Sequence, residues 1–202
     1  MSNDLLTITT KRLVLRCVER NDMFAMFQYA KLNTVGPAAG WVPHTHIEQT
    51  LAFINHSLRS QKKEEKPGVW VITLKPHDTA IGAIEIHSYK GYKGEIGFVL
   101  HPNYWNQGII TEACEAAMVY AFEHLKLHRL TYAHFLDNDA SARVREKLGF
   151  KVEGIKRKGF LHEDGRILDE IVSSYTSDDY QNDQARFEKI KSTLAYQGLH
   201  KD

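Results

Sequence analysis

The residues best able to do chemistry lie between Glu95 and Ala113, Glu-Ile-Gly-Phe-Val-Leu-His-Pro-Asn-Tyr-Trp-Asn-Gln-Gly-Ile-Ile-Thr-Glu-Ala. A β-rich run ends at Pro102, a short polar turn follows, and a helix opens near Gly108. The amides of Gln107 to Thr111 would then leave a helix N-terminus without intrahelical partners. Free N–H groups at the positive end of a helix dipole attract phosphate. Gly108 lets the backbone approach a ligand closely and adopt angles other residues resist. The chemistry this spacing offers is a diphosphate site. The plainer alternative is an ordinary strand–turn–helix in which Gly108 serves only the turn.

Other reactive side chains carry less. Cys114 falls on the apolar stripe of the helix that follows, with no base beside it, and reads as core packing. His44 and His46 form a His-x-His, and His124 and His128 have the i, i+4 spacing of helical metal ligands. Neither pair has a third ligand at a telling distance, so no metal is expected. Glu112 suits a helix N-terminus on electrostatic grounds alone.

The elements that must position these residues can be read from periodicity. Arg12 to Cys17 alternates as a half-buried strand. Asp22 to Ala30 puts Met23, Met26, Phe27 and Ala30 on one helical face. Thr45 and Glu48 have the spacing of a capping box, opening an amphipathic helix through Leu51, Ile54 and Leu58. Lys62 to Gly68 reads as a solvated loop. Val69 to Leu74, Ala80 to His87 and Gly94 to Leu100 are strands, with a turn at Gly91 to Gly94. Thr111 to Leu125 is a long helix with Cys114, Ala117, Met118, Ala121, Phe122 and Leu125 inward. Arg129 to Leu136 is a strand, and Asp139 to Leu148 a helix ended by Gly149. Phe150 to Gly154 and Ile167 to Thr176 form a closing pair, and Asp178 to Gln197 a last helix. The long helix between two strands is a crossover and predicts one parallel pair in an otherwise antiparallel α+β sheet.

Composition sets the outer bounds. A formal net charge of +1 leaves no electrostatic footprint for nucleic acid or an anionic membrane. No apolar run approaches the roughly 18–20 residues of a membrane span. Met1 to Thr10 lacks the marks of a signal peptide. The two cysteines, Cys17 and Cys114, read as thiols of a reducing compartment. A cytoplasmic protein is the expectation.

Four blocks, in order, resemble one family. Thr10-Lys11-Arg12-Leu13-Val14-Leu15-Arg16 resembles its opening strand, Glu95 to Ala113 its coenzyme A signature, Asn138 to Phe150 its Asn-x-x-Ser helix ending in Leu-Gly-Phe, and Asp164 to Tyr175 its closing hairpin. The family is the GNAT N-acetyltransferases, of the ribosomal-protein N-terminal (RimJ/RimL-like) type. The resemblance covers roughly Leu6 to Tyr180. It implies a mixed, mostly antiparallel seven-stranded sheet with helices on both faces and a splayed parallel pair holding acetyl-CoA. It implies one domain over residues 1–180, with 181–202 as its helical extension. Backbone of Phe98, Val99 and Leu100 would bond the pantetheine arm as an added strand does. Amides of Asn106, Gln107, Gly108, Ile109, Ile110 and Thr111 would hold the diphosphate, Asn138 the pantetheine amides, and Ser141 the departing sulfur. The signature departs from Gln/Arg-x-x-Gly-x-Gly/Ala at Trp105 and Ile110. A β-branched side chain at Ile110 would restrict the turn.

Acetyl transfer to an amine requires a neutral nucleophile, donors for the carbonyl oxygen and an acid for the thiolate. Glu95 is the candidate base, working through water, and its alternative is a salt-bridged strand carboxylate. The N–H of Val99 or Leu100 would polarise the carbonyl. Trp41 and Tyr104 could wall an acceptor pocket or only anchor loops. Glu85, Asp164 and Asp169 are possible contacts for a cationic amine. The acceptor is a protein N-terminus, or alternatively a small amine such as a polyamine, an amino acid or an aminoglycoside. A non-catalytic acyl-CoA-binding domain is the third reading. A monomer or a homodimer is allowed, with Phe187, Ile190 and Leu194 packing on their own domain or, alternatively, forming a dimer face.

Overall fold

The computed structural model describes residues 6–64 and 68–198. Its elements are β1 (Thr7–Thr9), β2 (Leu13–Cys17), α1 (Met23–Ala30), α2 (Ile47–Glu64), β3 (Val69–Leu74), β4 (Ala80–His87), β5 (Lys93–Leu100), α3 (Ile109–Val119), β6 (Arg129–Phe135), α4 (Asp139–Leu148), β7 (Lys151–Leu161), β8 (Ile167–Thr176), α5 (Ser177–Asn182), α6 (Gln184–Lys191) and β9 (Ala195–Gln197). The strands form one sheet in the order β7-β8-β6-β5-β4-β3-β2-β1-β9. All seven expected strands are present, and two three-residue strands extend the β2 edge to make nine among the described residues.

One face of the sheet packs on α3, α4 and α6. Its core includes Ile84, Ile86, Ile96, Ala113, Ala117, Tyr132, Leu148 and Phe187. The other face carries a smaller core from Met26, Tyr29, Ile54, Val69, Val71 and Ala83 under α1 and α2. Alternation along β4 divides the two, with Ile84 and Ile86 toward α3 and Ala83 and Glu85 away from it.

Several elements differ from expectation for local reasons. Gln49, not Glu48, reaches back at the start of α2. Its Oε1 accepts from the amides of Thr45 (2.7 Å) and His46 (3.0 Å). α2 runs on through Lys62-Lys63-Glu64, and residues 65–67 of the expected loop lie outside the described residues. α3 starts at Ile109, and after Val119 its last turn, Tyr120–His124, widens to a π-helix. The helix stops there, so His128 leads into β6 and cannot share a helical face with His124. β7 is seven residues longer than the expected Phe150 to Gly154 strand at its C-terminal end, with register breaks between Val152 and Gly154 and between Lys156 and Phe160. The last helix breaks at Asp183, and the chain returns as β9 to pair with β1. Phe187 is fully buried in the chain's own core, which removes it from any dimer face.

The β5–β6 junction positions the site. β4 pairs with β5 over six residues, from Gly82↔Leu100 to His87↔Glu95. On its other edge β5 pairs with β6, in parallel, only through Lys93↔Arg129, Gly94↔Leu130 and Glu95↔Thr131. Beyond Glu95 and Thr131 the two strands part.

Candidate active site

The turn between β5 and α3 is built from backbone. Asn106 (φ 58°) and Gly108 (φ 72°) both take left-handed conformations. Gly108 is the N-cap, and no side chain caps the helix. Among the described residues, none of the amides from Asn106 to Thr111 has a hydrogen-bond partner, and Glu112 N–H is the first to bond back, to the Gly108 carbonyl. A Cβ on Gly108 would have only the Arg12 Nη2 within 4 Å, at 3.6 Å, so the space above the turn is open. The Ile110 side chain is buried in the core beneath the turn.

Side chains hold this turn from outside. Arg12 Nη1 donates to the Gln107 carbonyl (2.9 Å), and Arg12 Nε to Glu112 Oε2 (2.6 Å). Glu112 Oε1 accepts from the Thr10 hydroxyl (2.6 Å) and the Arg12 amide (3.0 Å). Burial pushes the Glu112 carboxyl up, but these bonds from Thr10 and Arg12 outweigh it and hold the group below its ordinary value. Trp105 Nε1 donates to the Leu100 carbonyl (2.9 Å), tying the turn to the strand before it. Sequence reasoning missed this clamp, because Arg12 and Glu112 stand 100 positions apart.

A cavity of about 980 Å³ opens at the parted strands. Phe98, Val99, Leu100, Tyr104, Asn106, Gly108, Ile109, Ile110 and Thr111 line one side, and Tyr132, His134, Asn138 and Ser141 the other. Gln107 is not among the lining residues, and its side chain turns back to the Asn103 carbonyl (2.9 Å). Asn138 is engaged on both ends of its amide. Its Oδ1 caps α4 by accepting from Ser141 N–H (3.0 Å), and its Nδ2 donates to the Ala38 carbonyl (3.1 Å). One lone pair of Oδ1 and one N–H of Nδ2 are left for a ligand amide. Ser141 Oγ lies 2.7 Å from the Tyr132 hydroxyl.

On the α1/α2 face, Glu95 sits at the last β5–β6 pair, half-buried, with its Oε1 3.9 Å from His87 Nε2. Glu95 also lines the cavity. Glu85 lies beside it on the same face, mostly buried and lining the cavity, and burial raises its carboxyl above the ordinary value. The lack of a side chain at Gly97 keeps the space between these groups open. A Cβ there would stand 3.2 Å from the His87 ring and 3.8 Å from Glu85 Cγ.

Trp41 both anchors a loop and walls the cavity, its ring packed on Gly36 and 5.1 Å from His44. The β7–β8 hairpin closes this side. Phe160 fits against Gly40, where a Cβ would come within 2.5 Å of its ring, and Glu163 Oε2 accepts from Val42 N–H (2.9 Å). Asp164 and Asp169 stand outside, bound to Arg166 and to the Lys158 amide. Two acidic residues of the hairpin do reach the cavity, Glu163 and Glu170, the latter paired with Lys156 (3.2 Å), and sequence reasoning missed both.

Cys114 is fully buried, and burial pushes its thiol well up, which removes it as a nucleophile. His44 Nδ1 pairs with the Thr50 hydroxyl (2.8 Å), and His124 stacks between Tyr120 and Tyr196. Among the described residues no cluster of three His, Cys, Asp or Glu could hold a metal. Nor, among them, is any helix long and apolar enough to cross a membrane.

A parallel strand pair that parts beside uncapped helix amides thus borders the cavity. The family described as Acetyltransferase (GNAT) domain matches residues 12–151. In Bacillus subtilis (strain 168), Uncharacterized N-acetyltransferase YnaD is 34% identical over 154 residues, covering 75% of this chain and 86% of its own. Uncharacterized N-acetyltransferase YoaA of the same organism is 31% identical over 170 residues, covering 83% and 94%. The crystal structure of a GNAT-family acetyltransferase from Bacillus anthracis superposes with a TM-score of 0.75 at 28% identity, covering 85% of this chain and 99% of that one. The chain belongs to the GNAT family of N-acetyltransferases.

Proposed function

We propose that this protein transfers the acetyl group of acetyl-CoA to the α-amine at a protein N-terminus by direct attack. The observation that carries the reading is the set of bare amides at Asn106 to Thr111 beside strands that part after Glu95. These amides would take the diphosphate, the exposed edge of Phe98 to Leu100 the pantetheine arm, and the space by Glu95 and Ser141 the thioester. On this reading residues 1–180 form the acetyltransferase domain and 181–202 its extension. Cys17 and Cys114, both free, fit a reducing, cytoplasmic setting.

Acetyl-CoA supplies an activated carbonyl with a thiolate leaving group. The protein's own groups do the rest. Glu95, with His87 beside it, draws a proton from the incoming amine through water. The N–H of Val99 or Leu100 polarises the carbonyl, and Ser141 meets the sulfur. A carboxylate is a weak base, which suits an α-amine of pKa about 8 better than a lysine amine of about 10.4. The RimJ/RimL-like blocks support the same acceptor.

A second reading, a small cationic amine, is favoured by Glu85, which forms no ion pair among the described residues and lines the cavity. Thiol release from acetyl-CoA should be measured over N-terminal peptides, polyamines, amino acids and aminoglycosides. Turnover on peptides with a free α-amine, lost on N-blocked ones, is expected. Turnover on polyamines alone would overturn the peptide reading, and binding without turnover on any amine would leave an acyl-CoA-binding domain.

A further inference from the structure

Tyr132 sits on β6, 1% exposed, with its ring against Phe98 (5.8 Å) and Phe150 (5.3 Å). Its hydroxyl is 2.7 Å from Ser141 Oγ and 2.9 Å from the Ser141 carbonyl oxygen. A phenol has one proton for these two acceptors. If the proton goes to the carbonyl, the Ser141 hydroxyl must donate back to the Tyr132 oxygen, and Ser141 offers nothing to the cavity. If it goes to Oγ, the Ser141 proton is released toward the cavity that Ser141 lines. The two arrangements differ only by rotation of two hydroxyl hydrogens.

We propose that Tyr132 is a positioning residue that turns the Ser141 hydroxyl toward the sulfur as the C–S bond breaks, so that the thiolate leaves hydrogen-bonded rather than protonated. The inference rests on the acetyl-transfer reading above. The step balances as follows. The amine nitrogen lone pair forms the C–N bond, and the C–S bond breaks with its electron pair on sulfur. The amine proton passes through water to Glu95. Ser141 keeps its proton while sharing it with sulfur, Tyr132 keeps its own by donating to Oγ, and the thiolate takes a proton from solvent after release.

Two considerations favour a shared proton over a transferred one. A thiol has a pKa of about 8.5, so its anion departs near neutral pH with little help. Full transfer down the pair would leave a tyrosinate among Phe98, Phe150 and His134, where burial already pushes the phenol far up. A charge-assisted hydrogen bond to sulfur has no such penalty.

The test is the thiol pKa of coenzyme A bound to the protein, read from the ultraviolet absorbance of the thiolate, with affinity measured by calorimetry. In the wild type the bound thiol should titrate about one unit below free coenzyme A, a tenfold bias toward thiolate. Ser141→Ala and Tyr132→Phe should each abolish the shift, and the double variant should lose no more than either alone. Tyr132→Phe should lower kcat about tenfold with KM for acetyl-CoA unchanged. Phe150→Leu, which loosens the Tyr132 ring but spares both hydroxyls, should keep the shift. Should Tyr132→Phe fail to fold, a ring-fluorinated tyrosine at 132, a stronger donor, should depress the thiol pKa further. A bound thiol that titrates alike in wild type and Tyr132→Phe, is unmoved by the fluorinated ring, or loses its shift in Phe150→Leu overturns the inference. Failure of the wild type to bind coenzyme A would instead overturn the acetyl-transfer reading.

Discussion

Two strand–turn–helix units stand side by side in this molecule, and their helices begin in opposite ways. The β6–α4 turn closes on itself: Asn138 caps the Ser141 amide with its own side chain. The β5–α3 turn does not: Gly108 stands at the cap position in a left-handed conformation, and no side chain answers the amides that follow. A helix start left bare costs stability unless something holds it. Here the hold comes from behind, through Arg12, Thr10 and Trp105. The inner side of the turn is thereby kept in shape yet free. The difference teaches a division of labour. On the proposed function, the first unit offers backbone to the cofactor and the second a fixed hydroxyl to the chemistry.

The sharpest way to break the comparison is to put an anion at the bare cap. Asp tolerates left-handed backbone, and the space at Gly108 admits a Cβ. Gly108→Asp should therefore fold, with thermal unfolding close to wild type, while coenzyme A affinity falls at least about 100-fold, or 2.7 kcal/mol. Retained affinity in calorimetry would separate the turn from phosphate binding.

Glu95→Gln tests the chemistry without touching either turn. It should lower kcat/KM by about 10²-fold or more, with coenzyme A affinity nearly unchanged. An unchanged pH–rate profile would return Glu95 to a structural role.

Loosening the external hold comes next. Glu112→Gln should cost about 2 kcal/mol of stability in denaturant unfolding and weaken coenzyme A binding in step. The pH dependence has a definite sign. The folded carboxyl lies below its unfolded value of about 4.3, so its stabilisation is complete above that pH and is lost as pH falls through the lower, folded value. The Gln variant should lack this acid limb.

Asn138→Ala uncaps the second unit. Its expected cost is about 1 kcal/mol, with coenzyme A affinity within a few-fold, because the diphosphate turn is elsewhere. A loss as large as that of Gly108→Asp would mean the two units share one role. The smallest effect should be a gain: Glu85→Gln relieves a mostly buried carboxylate with no ion pair among the described residues and should raise stability by about 0.5 kcal/mol, while weakening a small cationic acceptor on the second reading.

How much of this was legible in the sequence follows from the range of each interaction. β3, β4, the α3 stripe and Gly149 were readable because apolar period and turn residues coincide within a dozen positions. β1 and β9 were not, since three residues show no period. The start of β7 was readable, but its extension from Ile155 to Leu161 hid because the register breaks and the strand is exposed along most of its length, which erases alternation. At the site, the motif from Glu95 to Thr111 was local and therefore visible. The Arg12–Glu112 clamp, the entry of Glu163 and Phe160, and the Tyr132–Ser141 pair are products of packing. Tyr132 in sequence is an apolar strand residue like its neighbours, and only the fold brings its hydroxyl to Ser141.

Backbone amide exchange with deuterium tests the central claim most directly, compared with and without coenzyme A and with pantetheine, which lacks the diphosphate. Coenzyme A should slow exchange at the amides of residues 106–111, and pantetheine should leave them as they are. Coenzyme A binding with those amides still exchanging freely, or equal protection by both ligands, would contradict the account.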